Sequence, residues 1–180
     1  MSSHMTRGAL SGRTALVTGA GHGIGAAVSC ALCRAGASVV LAARDGQALE
    51  VLAAHISAAG GQAVAVPTDL TDPRSVRRLV EQILGAFGRL DAAVNHGEVG
   101  EVALAMKYEI PSMRPGGRIV NLASSADAQA AMTELTRAAA RDSGCCGVRI
   151  DAVAAGPQDS EEDVADTVVW RITRQVPIGR

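Results

Sequence analysis

The residues Thr18-Gly19-Ala20-Gly21-His22-Gly23-Ile24-Gly25 follow an apolar run, Ala15-Leu16-Val17, and lead into a helical pattern. Residue types in that order bind anions. Glycines admit positive φ and let a backbone approach a phosphate with no side chain between. The helix that follows offers unpaired N–H groups and the positive end of its dipole. The spacing is Gly-x-x-x-Gly-x-Gly, with Ile24 standing where a Gly-x-Gly-x-x-Gly frame begun at Gly19 would place its third glycine. An ordinary tight turn is the competing reading of such a cluster taken alone. About twenty residues further on, where a dinucleotide fold meets the adenosine ribose, Leu41-Ala42-Ala43-Arg44 closes a second apolar run. A guanidinium there can pair with a 2′-phosphate, and Ala43 brings no carboxylate to repel it. The pattern therefore favours NADP, with NAD left possible by Asp45, the next residue; a solvated arginine at a strand end is the alternative. A third run ends Pro67-Thr68-Asp69-Leu70 and puts a carboxylate at the edge where adenine would lie. Asp69 or Asp72 can equally cap the next helix.

Elements that would position these groups alternate along the whole chain. Strand-like runs fall at Ala15–Val17, Ser38–Ala42, Ala63–Val66, Leu90–Val94, Arg118–Leu122 and Val148–Val153, with helical patterns between them. The third helix has Asp72 as a cap candidate, Pro73 in its first turn, and Val76, Leu79, Val80, Ile83 and Leu84 on one face. Strict alternation predicts an α/β fold, a doubly wound parallel sheet in three layers. The strands lack polar alternation, as expected where helices cover both faces. Right-handed crossovers give the Rossmann-like strand order 3-2-1-4-5-6, with a ligand at the switch point beside the first strand.

Composition narrows the partners. The chain has 180 residues, 48% hydrophobic and 19% charged, enough for one core, so residues 6–180 read as a single domain. Met1-Ser2-Ser3-His4-Met5 resembles an expression-tag remnant. Net charge is −1 and the aromatics are Phe87, Tyr108 and Trp170 alone. That offers neither a phosphate-tracking patch nor a stacking platform, so no nucleic-acid partner is expected. The apolar runs are strand-sized, so no membrane partner is expected either and a cytoplasmic location is. Cys30, Cys33, Cys145 and Cys146 read as small packing residues, and the scattered histidines lack ligand-spaced companions; no metal is expected.

From about Gly12 to Pro157 the sequence resembles the short-chain dehydrogenase/reductase family. Thr18 to Gly25 is similar to its Thr-Gly-x-x-x-Gly-Ile-Gly turn, and Asp69-Leu70 to its adenine-side acid. Leu90-Asp91-Ala92-Ala93-Val94-Asn95 resembles the strand entering its Asn-Asn-Ala-Gly motif. Gly117 to Ser124 resembles the strand that ends in the catalytic serine. Glu134 to Arg137 and Gly147 to Pro157 resemble the long helix and the strand leading to the nicotinamide pocket. The resemblance implies that Gly19, His22, Gly23, Ile24 and Gly25 hold the pyrophosphate and Arg44 the 2′-phosphate. It places adenine at Asp69 and Leu70, the nicotinamide-side ribose region at Asn95, and the substrate oxygen at Ser124.

Departures from the family cluster on the substrate side. A tyrosine general acid/base, with a lysine four residues later lowering its pKa, serves the alkoxide that hydride transfer creates. Counting back from Leu135, these positions carry Ser125 and Gln129. Tyr108 falls on a packing helix instead, as a core or interface residue. Asn95-His96-Gly97-Glu98 replaces Asn-Asn-Ala-Gly, the next helix is shortened at its start, and Glu98 falls where the family has a catalytic asparagine. The loop after Ser124 is absent, the region beyond Pro157 is brief, and the sequence stops at Val176-Pro177-Ile178-Gly179-Arg180, a phrase that in relatives precedes a last helix and strand. Either this is a pared-down relative, or the sequence omits loops of a longer enzyme; the intact phosphate turn and sheet favour the second.

The expectation is thus an NADP(H)-preferring oxidoreductase acting on a small alcohol or carbonyl, with the proton-transfer tyrosine outside this sequence. A homodimer or homotetramer through the long helices, including the one near Ala130 to Asp142, goes with it. Two rivals stand beside it: a nucleotide-binding protein without turnover, serving as a sensor or oligomer partner, and a folded domain with no nucleotide site.

Overall fold

The computed structural model describes residues 8–123, 125–156 and 158–174. The elements alternate throughout: β1 Thr14–Thr18, α1 Gly23–Arg34, β2 Ser38–Ala43, α2 Gly46–Ala58, β3 Gln62–Pro67, α3 Pro73–Phe87, β4 Ala92–Gly97, α4 Val99–Glu109, β5 Arg118–Ala123, α5 Gln129–Asp142, β6 Arg149–Val153 and α6 Glu161–Thr173. All strand pairings are parallel, in the order β3-β2-β1-β4-β5-β6 expected from the sequence.

Strand side chains point alternately to the two faces, and here both faces are apolar. Ala15, Val17, Val39, Leu41, Ala92 and Val94 pack beneath α1, α2 and α6. Leu16, Val40, Ala93, Ile119 and Ile150 pack on the other face, beneath α3, α4 and α5. The helices therefore cover the sheet as two layers, and the strand ends stay open at its carboxyl edge. The edge strand β3 is less covered: Val64 is 47% exposed.

Helix α3 forms as its spacing predicts. Pro73 opens it, Asp72 accepts the Arg74 N–H at 3.0 Å, and Val76, Leu79, Val80 and Ile83 are buried. Leu84 does not join them: it is 36% exposed at the margin of that face. Two strands start later than the apolar runs suggest. Leu90 and Asp91 precede β4 because the Asp91 carboxylate takes the Thr14 N–H at 2.9 Å, while its own N–H donates to the Thr14 carbonyl. Arg89 and Arg13 close around the same carboxylate, at 2.7 and 3.2 Å. Burial alone would raise the Asp91 pKa, but the hydrogen bonds from Arg89, Thr14 and Arg13 outweigh it and hold the carboxyl below its ordinary value. Val148 precedes β6 because Gly147, at φ +68°, turns the chain just before it.

Candidate functional site: the carboxyl edge around β1

The glycine turn is built for close approach. Gly19 has φ +66° and Gly23 φ +55°, left-handed values that favour glycine. A Cβ on Gly19 would run into the His96 carbonyl oxygen, and a Cβ on Gly25 into the Gly19 carbonyl oxygen. Backbone from β1, β4 and α1 is thereby drawn into one cradle. Helix α1 begins at Gly23 with His22 as its N-cap, without a side-chain capping bond and without an acid in its first turn. Its leading N–H groups are left for a ligand. Ile24 packs partly into the core below. One carboxylate lies close by: Glu161 Oε1, from the start of α6, would stand 3.2 Å from a Cβ on Gly23.

Arg44 leaves the end of β2 and is 61% exposed, but it is not free. Its Nε donates to Asp69 Oδ1 at 3.2 Å, and its Nη2 to Glu101 Oε1 at 3.3 Å. Asp69 also accepts from the hydroxyl and N–H of Thr71, and these bonds, with Arg44 after them, hold its pKa below the usual carboxylate value. Asp72, not Asp69, caps α3. Asp45 likewise serves as a cap, accepting the Ala48 N–H of α2 at 3.0 Å. Leu70 is buried at 6% exposure, so its side chain is core.

Asn95 lies deeper than its expected role would have it. Its side chain is fully buried: Oδ1 accepts from Thr18 Oγ1 at 3.1 Å, and Nδ2 donates to Glu109 Oε2 at 2.9 Å and Asn121 Oδ1 at 3.2 Å. Asn121 continues the chain to Thr136 on α5 at 3.0 Å. Asn95 thus ties β1, β4, β5 and α4 together beneath the cleft. Glu109 is the surprise in this network, a carboxyl with no exposed surface whose Oε1 has no hydrogen-bond partner. Burial raises its pKa to about 7, against the lowering effect of Asn95. The pKa of His96, the residue after Asn95, is pushed down by burial, partly offset by a hydrogen bond with the Gly19 backbone.

On the substrate side, Ser124 and Pro157 lie outside the described residues, as do residues 1–5 and 176–180. Ser125 Oγ accepts the Ala128 N–H at 3.2 Å, and Gln129 opens α5. Tyr108 sits half-buried on α4 beside Lys107, the chain's one lysine, whose Nζ is 5.8 Å from the ring centre. Glu98 is the single residue between β4 and α4 and forms a capping box with Glu101. Among the described residues no group of three or more His, Cys, Asp and Glu is placed to hold a metal. Burial raises the Cys33 thiol to about 11.

Two residues of the edge escaped the sequence reading. Glu101 was legible as the fourth residue of the Glu98-x-x-Glu101 box. Glu109 falls at helical spacing after Val102, Ala105 and Met106, which marks it as an acid on the buried face of α4.

The family model for short chain dehydrogenase matches residues 13–111. The chain belongs to the short-chain dehydrogenase family. An uncharacterized oxidoreductase of Mycobacterium tuberculosis is 32% identical over 184 aligned positions, covering 82% of this short-chain dehydrogenase and 70% of that relative. That aligned stretch is longer than the 180-residue chain while taking in only part of it, so the relative carries segments with no counterpart here. The 1-deoxy-11-beta-hydroxypentalenate dehydrogenase of Streptomyces exfoliatus is 45% identical over 103 residues, 57% of this chain and 37% of its own. Among solved structures, a metagenomic short-chain oxidoreductase in complex with NADP superimposes with a TM-score of 0.85 at 29% identity, covering 93% of each chain. No helix among the described residues is long and apolar enough to cross a membrane.

Proposed function

We propose that this short-chain dehydrogenase binds NADP(H) at the carboxyl end of β1, in preference to NAD(H), and exchanges a hydride with a small alcohol or carbonyl substrate. The observation that supports this most is the cradle of Gly19 and Gly25, where no Cβ fits, at the uncapped start of α1. The pyrophosphate would lie against Gly19, His22, Gly23, Ile24 and Gly25, with Arg44 toward the 2′-phosphate and Asp69 with the Leu70 backbone toward adenine. Asn95 acts here as a positioning residue, since its side chain is consumed beneath the site. Bound cofactor supplies the hydride donor or acceptor. Ser124 is assigned to the substrate oxygen, and the proton-transfer tyrosine to a segment outside this sequence. The soluble setting of such a reaction is the cytoplasm, with assembly as a homodimer or homotetramer across α5.

The test is titration of the purified chain with NADPH and NADH by calorimetry, followed by NADPH oxidation across a panel of carbonyls. Gly19→Ala should abolish binding, because its Cβ meets the His96 carbonyl. Failure of both dinucleotides to bind would end the reading. A second reading, a nucleotide binder without turnover, is motivated by Ser125 and Gln129 at the acid/base positions. Oxidation of NADPH by the purified chain with any carbonyl of the panel would rule it out.

A further inference from the structure

The Arg44 side chain crosses the site. It arises beyond β2, whereas Glu101 stands in the first turn of α4, beyond β4, and β1 with its glycine turn lies between these two strands. Glu101 comes so near because a single residue joins β4 to α4. Its carboxylate is also fixed in place. Oε2 accepts the Glu98 N–H at 3.2 Å, Gly97 leaves it room that a Cβ would take, and the side chain is only 21% exposed. On the other side Asp69 is held by Thr71. Arg44 is therefore shared between two anchored carboxylates before any ligand arrives.

Building on the dinucleotide reading above, we propose that Glu101 is a specificity-determining residue that restrains the preference for NADP by competing with the 2′-phosphate for Arg44. A phosphate seated on the guanidinium must draw it from Glu101 and then face that carboxylate as a like charge. A ribose bearing a 2′-hydroxyl faces neither demand. Discrimination between the two cofactors is thus set by the pair, and Arg44 alone overstates it.

Glu101→Gln isolates the charge, since glutamine preserves the capping-box acceptor. Dissociation constants for NADP and NAD are measured by calorimetry on the wild type and on Glu101→Gln at low and high salt, with melting curves to confirm an unchanged fold. The variant should bind NADP about fivefold more tightly, the size expected of one exposed ion pair, with NAD changed less than about twofold. The gain should shrink as salt screens the charges. An unchanged NADP-to-NAD ratio, including an equal gain for both, overturns the proposal; so does weaker NADP binding, which would make Glu101 a support for Arg44. If the wild type binds neither dinucleotide, the functional reading itself fails and this inference falls with it.

Discussion

Arg44 and Glu109 show how much a residue's role depends on what its charge meets. Arg44→Ala should weaken NADP binding at least tenfold while changing NAD binding little, because only the phosphate needs the guanidinium; equal losses in calorimetry would remove the specificity argument. Glu109 makes a different demand. Its ordinary pKa is 4.5 and burial raises it to about 7. The folded protein therefore holds that proton more tightly than the unfolded chain, and the stabilisation is complete below the unfolded value. It is lost as pH rises through about 7. Asn95, which donates to it, and Asn121 and Thr136, which continue that network, are neutral and do not offset a carboxylate there. Glu109→Gln, which keeps an acceptor for Asn95, should flatten this slope and be the more stable protein at pH 8. The gain is on the order of 3 kcal/mol, readable from denaturant curves at pH 5 and pH 8; parallel curves would refute it.

At the scale of elements, the junction of β1 and β4 rests on Asp91. Its carboxylate takes bonds from Thr14, Arg13 and Arg89 at the amino end of the two strands. Asp91→Ala would strand the Thr14 N–H and the Arg89 guanidinium, costing about 1–3 kcal/mol. Because the Asp91 pKa is depressed in the fold, its contribution is present above the ordinary aspartate value and is lost as pH falls through the folded one. The Asp91→Ala protein should accordingly lose less stability on acidification than the wild type, a comparison that thermal melts between pH 6 and about pH 3 provide. The helices between the strands were readable from their periods, although α1 and α5 have no side-chain cap. Asp72-Pro73 at α3 is a local signal, whereas α6, capped by Ser160, lies beyond the helices expected from the sequence. Strand limits were less readable: β4 begins at Ala92 because the side chain of Asp91, just before it, takes the backbone N–H of Thr14, 77 residues away.

Across the whole molecule, the six strands form one sheet and the cradle joins β1, β4 and α1, so a ligand there binds the folded chain and not the unfolded one. NADP at one hundred times its dissociation constant should stabilise the protein by about 2.7 kcal/mol. For a domain of this size that raises the Tm by roughly 5–10 °C; no rise at such a concentration would argue for a folded domain without a nucleotide site. The sequence alone determined the alternation of strand and helix, the parallel order of the sheet and the place of the glycine turn. Those follow from period, caps and glycines within a few residues of one another. Only the tertiary structure decided which charges meet. Arg44 finds Asp69 and Glu101 through strand ends 25 and 57 residues away, Asn95 turns inward to Glu109 and Asn121, and Asp45 spends its carboxylate on a helix cap. A side chain's type is local information, but its partner is chosen by the sheet that brings distant strand ends together.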